Sequence, residues 1–219
     1  MTLEEVSYLG VPAVTQETQF LYKRIDSILS SSEKEIDFDE SIFVNFIKHM
    51  MNNRIADAVL YSRLSSKCIS SSEEFEVMYP ENDFSEIGEE FLEHSRQEME
   101  NHNSLMILAQ ELGFACSLDF ELKDTANTKF SDPQEFMDFT QWREMMSIAE
   151  FYTLYKILIE TDILDDLDND TQFDVIDNIK ESLEVEIEHF EEFFDYSSVG
   201  NDKFIEMLSV VKDELAEGF

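Results

Sequence analysis

One histidine lies in an acidic stretch near the end of the chain, three residues after a glutamate. The stretch reads SLEVEIEHFEEFF (182–194) and contains Glu186 and His189. Residues three apart share one face of an α-helix, so both side chains can reach the same divalent metal ion. Such a pair also arises by chance in a chain with 50 Asp and Glu residues. A metal site therefore requires further ligands from other parts of the chain.

The elements that would position such ligands are predicted to be helices. The 219 residues include five Gly and three Pro, and apolar residues recur at spacings of three and four. Gly113 is typical of a helix end, and the pair Asp132-Pro133 is typical of a helix start. Long helices are predicted over about 40–65, 84–112, 133–162 and 171–195.

Shorter segments complete the predicted layout, which is all-α with four antiparallel long helices. We expect a short helix within 15–31, a polar connection forming a lid or surface loop after the first long helix, and a short C-terminal helix. The length fits one domain. Its predicted parts are a leader over 1–39, a core over 40–197 and a C-terminal helix over 198–219.

Each long helix carries an acid where its apolar stripe predicts a hydrophobic residue. These acids are Asp57, Glu98, Glu150 and Glu186. His102 lies one turn beyond the acid of the second helix. Either His102 or its neighbour Asn101 points toward the interior of the bundle. Burial of four unpaired carboxylates is unfavourable, so we expect cations to compensate them. Oxygen and imidazole ligands favour iron or manganese.

The order acid, acid plus His, acid, acid plus His resembles the ferritin-like di-iron carboxylate superfamily. QEMENHNSLMILAQELGF, IAEFYTLYKIL and LEVEIEHFEEFF carry the resemblance, which covers most of 40–195 and is nearest in layout to the aldehyde-deformylating oxygenases. It implies a ferritin-like antiparallel four-helix bundle with additional short terminal helices. It also implies two iron ions, or manganese or a mixed pair, with O2 as co-substrate. The metal ligands that the resemblance implies are Glu98, Glu150, Glu186 and His189, and the apolar stripes add Asp57 and His102 as the remaining candidate ligands.

The first half of the chain departs from the family pattern. Asn101 stands where the family has a ligating histidine, and His102 follows one place later. Arg54 stands seven residues before Tyr61, where the family has a glutamate, and Asp57 is displaced by almost one turn. Either a π-bulge and a shifted register restore the site, or Arg54 replaces a cation and the core holds one metal ion or none.

The leading functional hypothesis is a non-haem di-metal oxidase or oxygenase. It would activate O2 to oxidise a small or medium, partly apolar organic substrate, with Tyr61 and Tyr155 as candidates for relaying electrons or protons. One alternative, iron storage or detoxification, uses the same ligands. A second alternative is a metal-free helical interaction protein, which predicts an ion pair from Arg54 to Glu98 or Glu150.

The composition limits the classes of partner. Fifteen Lys and Arg against 50 Asp and Glu give a formal net charge of −35, which repels nucleic-acid backbones and anionic membrane surfaces. No stretch of about 18 apolar residues predicts a membrane span. Two cysteines without a recognisable motif fit a cytoplasmic protein. A basic electron-donor protein and a homodimer are the remaining partner hypotheses.

Overall fold

The computed structural model describes residues 40–114, 126, 128–194 and 196. These residues are mainly helical and contain no strand, which confirms the all-α prediction. None of the helices described is both long and apolar enough to cross a membrane. The predicted short helices of the leader and the C-terminus lie outside the described residues. The helices are α1 (Glu40–Ser70), α2 (Ser72–Met78), α3 (Phe84–Glu111), α4 (Pro133–Glu160) and α5 (Asn169–Phe194).

The four long helices pack as two pairs. Helix α1 lies along α3, α4 lies along α5, and a smaller interface joins α3 to α5. Two apolar clusters fill the interior. Members of the large apolar cluster include Phe46, Leu105, Leu154 and Ile179. Members of the small apolar cluster include Leu64, Ile87, Met137 and Phe193.

The order of the two clusters along each helix gives the helix directions. Helices α1 and α5 enter the large apolar cluster first and the small one second, whereas α3 and α4 enter them in the reverse order. The partners within each pair are therefore antiparallel, and α3 and α4 run in the same direction. The end of α3 and the start of α4 consequently lie at opposite ends of the helix pairs.

Gly113 ends α3 as the sequence predicts. Its φ of 73° lies in the left-handed region, which costs glycine little. Its N–H donates to Gln110 O at 3.0 Å, and Phe114 N–H donates to Ala109 O at 2.8 Å, the two hydrogen bonds of a Schellman cap. The cap directs the Phe114 ring against Phe43 at a centroid distance of 5.9 Å.

Aspartates cap the starts of α4 and α5. The Asp132 side chain accepts a hydrogen bond from Glu135 N–H, and Pro133 occupies the first turn of α4, so the predicted start is confirmed. Asp168 accepts from the backbone N–H of Thr171 at 3.1 Å in the same manner. Both boundaries follow from local residue chemistry.

The connection after the first helix is shorter and more ordered than the predicted lid or loop. Helix α1 continues to Ser70, and α2 follows after one residue. Cys68 and Phe75 are buried, and the ring of Phe75 packs edge-on against Phe84 with centroids 5.2 Å apart. Burial of these two side chains stabilises helix where the polar composition indicated a loop.

Candidate metal centre

A layer of buried polar side chains lies between the two apolar clusters along α1 and α3, and α4 and α5 contribute to it. We call it the polar layer. Five of the six predicted metal ligands belong to it, and His102 is buried at 4% exposure. The layer includes Asn53, Arg54, Asp57, His94, Glu98, Arg143, Glu144, Ser147, Glu150, Glu186 and His189, each at most 2% exposed.

The guanidinium group of Arg54 lies among the predicted ligands. Its NH1 is 2.8 Å from Glu186 Oε1 and 3.2 Å from Glu98 Oε2, and its NH2 is 2.9 Å from Glu150 Oε2. NH1 also donates to Ser147 Oγ at 2.5 Å. Burial acts to lower the pKa of Arg54, but the surrounding carboxylates raise it well above its ordinary value. Arg54 is therefore charged, and it forms the ion pairs that the metal-free alternative predicts.

Glu150 is held by protein groups on both carboxylate oxygens. Oε2 pairs with Arg54, Oε1 accepts a hydrogen bond from Asn53 Nδ2, and His49 Nε2 lies 3.4 Å from Oε1. Burial acts to raise the pKa of Glu150, but His49 and Arg54 hold it at about 2. Glu150 is therefore ionised, and its charge is compensated without a metal ion.

Asp57 is paired with an arginine that the sequence reasoning did not single out. Arg143 donates from Nε to Oδ1 at 2.8 Å and from NH2 to Oδ2 at 2.6 Å, a bidentate ion pair. Arg54 NH2 lies 3.5 Å from the same Oδ2. Both oxygens of Asp57 thus face guanidinium groups.

His102 and Asn101 are both buried, but only Asn101 forms a hydrogen bond with a carboxylate of the polar layer. Asn101 Nδ2 donates to Glu186 Oε1 at 2.7 Å. The His102 ring instead places Nδ1 3.2 Å from the backbone oxygen of Met51 on α1. Burial lowers the pKa of His102, so the ring is neutral. In this arrangement His102 connects α3 to the backbone of α1.

A smaller group of acids and histidines meets within the polar layer. Glu98, Glu144, Glu186 and His189 each offer a ligand atom, and these atoms all lie within 4.8 Å of one another. His94 joins Glu144 and His189 in an overlapping group of the same kind. We call these five residues the Glu/His cluster.

His189 presents an unprotonated nitrogen to this cluster. Its Nε2 lies 2.6 Å from Gln97 Oε1, and because an amide oxygen can only accept, Nε2 carries the proton. Burial lowers the pKa of His189, so the ring is neutral and Nδ1 has a free lone pair. Nδ1 lies 3.6 Å from Glu144 Oε2 and 3.9 Å from Glu186 Oε2.

His94 repeats this pattern. Its Nε2 donates to Glu192 Oε2 at 2.7 Å, and its ring stacks on His189 with centroids 3.7 Å apart. Burial, followed by the neighbouring His189, lowers the pKa of His94, so its Nδ1 is also unprotonated. An outward N–H held by an acceptor and an inward lone pair are typical of metal-ligating histidines.

The cluster contains five buried polar atoms that form no hydrogen bond in the described structure. They are His94 Nδ1, Glu98 Oε2, Glu144 Oε2, Glu186 Oε2 and His189 Nδ1. Burial raises the pKa values of the three glutamates, that of Glu186 to about 7. Arg54 pairs with Glu98 and Glu186, but the raised pKa values indicate that this one cation does not compensate all three carboxyl groups, so a further proton or cation is required. A proton shared between Glu144 and Glu186 would satisfy two of the five atoms, whereas a metal ion could coordinate the ligand atoms of either overlapping group.

Glu144 was not among the predicted ligands. A signal for it exists in the sequence, because polar residues recur every three positions at Gln141, Glu144, Ser147 and Glu150, and all four are buried. This spacing places the four side chains along one side of α4, so Glu144 lies on the same side of the helix as the predicted ligand Glu150.

The two predicted relay tyrosines have different surroundings. Tyr61 is fully buried and donates from its hydroxyl to Glu144 Oε1 at 2.5 Å. Burial, followed by Glu144, raises the pKa of Tyr61, so its phenol stays protonated. Tyr155 belongs to the large apolar cluster, and within the described residues its hydroxyl makes no hydrogen bond with the polar layer. Of the two, Tyr61 is the one beside the Glu/His cluster.

Comparison with protein-family models finds no match, and comparisons with curated proteins and with solved structures find none either. Functional assignment therefore rests on the chemistry of the site.

Proposed function

We propose that the protein binds one divalent transition-metal ion in the Glu/His cluster. The observation that carries this proposal is the state of His94 and His189. Each donates its Nε2–H to an outer acceptor and has an unprotonated Nδ1 without a hydrogen bond. Ligands of three carboxylates and two imidazoles suit iron or manganese.

The charges of the polar layer support the same conclusion. Five buried carboxylates face two buried guanidinium groups, so full ionisation leaves three uncompensated negative charges. One divalent ion and one proton would balance them. The carboxylates are Asp57, Glu98, Glu144, Glu150 and Glu186, and the guanidinium groups are Arg54 and Arg143.

We propose one ion in place of the two that the family resemblance implies. Arg54 already supplies positive charge to Glu98, Glu150 and Glu186. A second ion bound by these carboxylates would require the guanidinium group to leave. Asp57 would also have to release Arg143 before it could bind a metal ion.

The arrangement that we propose for the helices is a ferritin-like four-helix bundle. Two observations support it. The partners within each helix pair are antiparallel, and α3 and α4 run in the same direction. A long connection over 112–132 between these parallel helices fits the one-crossover topology of ferritin-like folds.

The activity that we propose is oxidation of a small or medium, partly apolar organic substrate by O2. An iron or manganese ion supplies one-electron redox chemistry toward dioxygen when it is bound. Tyr61 keeps the proton on its hydroxyl and donates a hydrogen bond to Glu144 at 2.5 Å, so it can orient this carboxyl group beside the cluster. The apolar clusters on both sides of the polar layer exclude water from it.

A metal-free helical interaction protein is the second candidate, and Arg54 is the observation that favours it. Its ion pairs with Glu98 and Glu150 are those that this candidate predicts. Under this candidate, protons on Glu144 and Glu186 would compensate the remaining buried charge.

Metal analysis separates the two candidates. We expect protein expressed with iron and manganese, and purified without a chelating tag, to contain about one ion per chain. Glu144→Gln and His189→Gln should lose the ion, because each removes a ligand from the cluster. Glu90→Gln is the matched control, since Glu90 is an acid of α3 outside the cluster. Folded wild-type protein without stoichiometric metal would overturn the metal proposal.

Oxygen uptake tests the activity separately. With ascorbate as reductant, we expect the metal-loaded protein to consume O2 and Tyr61→Phe to consume it more slowly at the same metal content. Metal binding without O2 consumption would leave the site intact and reject the oxidase activity.

A further inference from the structure

A cavity of about 490 Å³ lies between α1, α2 and the segment that enters α4. No residue of the Glu/His cluster lines it. Its volume falls within the range of small-molecule binding sites. The apolar part of the lining consists of Leu60, Leu64, Phe75, Met78, Phe130 and Phe136.

Three cationic side chains line the same cavity. Arg63, Lys67 and Lys129 meet here in a chain that has 15 Lys and Arg against 50 Asp and Glu. Within the described residues, none of the three forms an ion pair with a carboxylate. Arg63 donates to the backbone oxygen of Ala126, and Lys67 Nζ lies 3.0 Å from Ser71 Oγ. These contacts position the two cations without neutralising their charge.

Two acids also line the cavity, and one of them already caps a helix. Asp132 caps the start of α4 by accepting a hydrogen bond from Glu135 N–H at 3.0 Å. Glu74 is the other acid. Three cations against two acids leave a local positive excess, whereas the chain as a whole carries −35.

We propose that this cavity binds a small organic anion, namely an alkyl or aryl carboxylate. The apolar body would pack against Phe75, Phe130 and Phe136, and the carboxylate would pair with the cations that line the cavity. The net charge of the protein repels anions, so capture of one requires a local concentration of positive charge. Arg63, Lys67 and Lys129 are exposed side chains, so a carboxylate can reach their charged groups from solvent.

This inference is independent of the proposed metal centre. It rests on different residues and on a ligand that needs no metal, so either proposal can fail while the other stands. Binding should therefore persist in the Glu144→Gln variant.

Calorimetric titration of the full chain with three eight-carbon probes tests the ligand class. At near-physiological salt we expect octanoate to bind at least about tenfold more tightly than octan-1-ol, because its carboxylate pairs with the cations. Octylamine should show no saturable binding in the cavity. Equal affinity for octanoate and octan-1-ol, or no octanoate binding at millimolar concentration, would overturn the proposal.

A pair of variants locates the binding. Lys67→Gln/Lys129→Gln keeps Arg63, which contacts the backbone, and should weaken octanoate binding about tenfold while binding of octan-1-ol stays unchanged. Lys180→Gln is the control, since Lys180 pairs with Glu184 on α5 and does not line the cavity. Equal weakening in the two variants would show that overall charge governs binding, and it would reject the cavity site. Thermal melting checks that each variant is folded.

Discussion

At the residue scale, Arg54 is the group on which the polar layer depends. It is fully buried on α1, and its charge faces carboxylates from α3, α4 and α5. Loss of one partner from a buried ion pair costs about 3–5 kcal/mol, because the remaining charge is left uncompensated. Arg54 therefore determines whether the three facing carboxylates can be buried together.

We expect Arg54→Met to lower the free energy of unfolding by about 3–5 kcal/mol, because the methionine fills much of the volume but supplies no charge. Urea unfolding followed by circular dichroism measures the change. Arg96→Met is the control. Arg96 pairs with Glu93 on the surface of α3, so its replacement should cost less than about 1 kcal/mol.

A double variant checks that charge is the cause. Arg54→Met/Glu98→Gln should be more stable than Arg54→Met, because it removes one of the uncompensated carboxylates. A loss below about 1 kcal/mol for Arg54→Met would contradict the ion-paired core.

The sequence predicted some of these residues and missed others for a physical reason. Glu186 stands out because α5 has a polar face that contrasts with its apolar stripe. Helix α4 has no such contrast, since nearly every residue from Thr140 to Tyr155 is buried. Without a polar face, the direction of Arg143 could not be read from periodicity, and Glu144 is marked only by the recurrence of polar residues every three positions.

At the element scale, α1 and α3 approach each other closely at Gly88. A Cβ atom there would lie 2.7 Å from Ile69 Cγ1 and 3.2 Å from the backbone oxygen of Ser65. Glycine therefore allows the two helices to pack at this distance, although it is a poor helix former.

We expect Gly88→Ala to lower the free energy of unfolding by about 1 kcal/mol. Overpacking lowers the free energy of unfolding by about 1–3 kcal/mol, and the better helix propensity of alanine offsets about 1 kcal/mol of this loss. Thermal and urea unfolding measure the difference. Gly88→Ala/Ile69→Ala should recover the loss, because it removes the closest contact and Ile69 is half exposed. A stabilising effect of Gly88→Ala would contradict the close approach of the helices.

Helix ends could be predicted where the cause is local. Gly113 and the pair Asp132-Pro133 act through their own backbone and side-chain chemistry, and both boundaries were predicted correctly. Helix α2 was missed because its cause is tertiary. Its one buried side chain, Phe75, packs against Phe84, which is nine residues further along the chain.

At the scale of the whole molecule, negative charge is the dominant electrostatic feature. Fifty acids face 15 Lys and Arg, of which Arg54 and Arg143 lie in the interior. Most acids therefore have no cation of their own. Self-repulsion of this kind destabilises the compact state, and the effect is largest where an unpaired acid is partly buried.

Glu90 is such an acid. One of its carboxylate oxygens is buried without a hydrogen bond, and burial, followed by repulsion from Glu192 and Glu86, raises its pKa to about 7. Because the folded pKa exceeds the unfolded value of about 4.5, the ionised group destabilises the fold. The destabilisation is absent below about pH 4.5, grows as the pH rises and is complete above about pH 7.

We expect Glu90→Gln to raise the free energy of unfolding by about 1 kcal/mol near pH 8, since solvent screening reduces the full effect of the pKa shift. Near pH 4.5 the variant and the wild type should be equally stable, because the folded wild type is already protonated at this position. Urea unfolding at the two pH values measures the contrast, with the exposed neighbour Glu89→Gln as the control for net charge. An equal gain at both pH values would mean that glutamine packs better than glutamate. An equal gain from Glu89→Gln would assign the effect to overall charge. If only Glu90→Gln stabilises the protein, and only at high pH, the destabilisation arises from the local surroundings of Glu90.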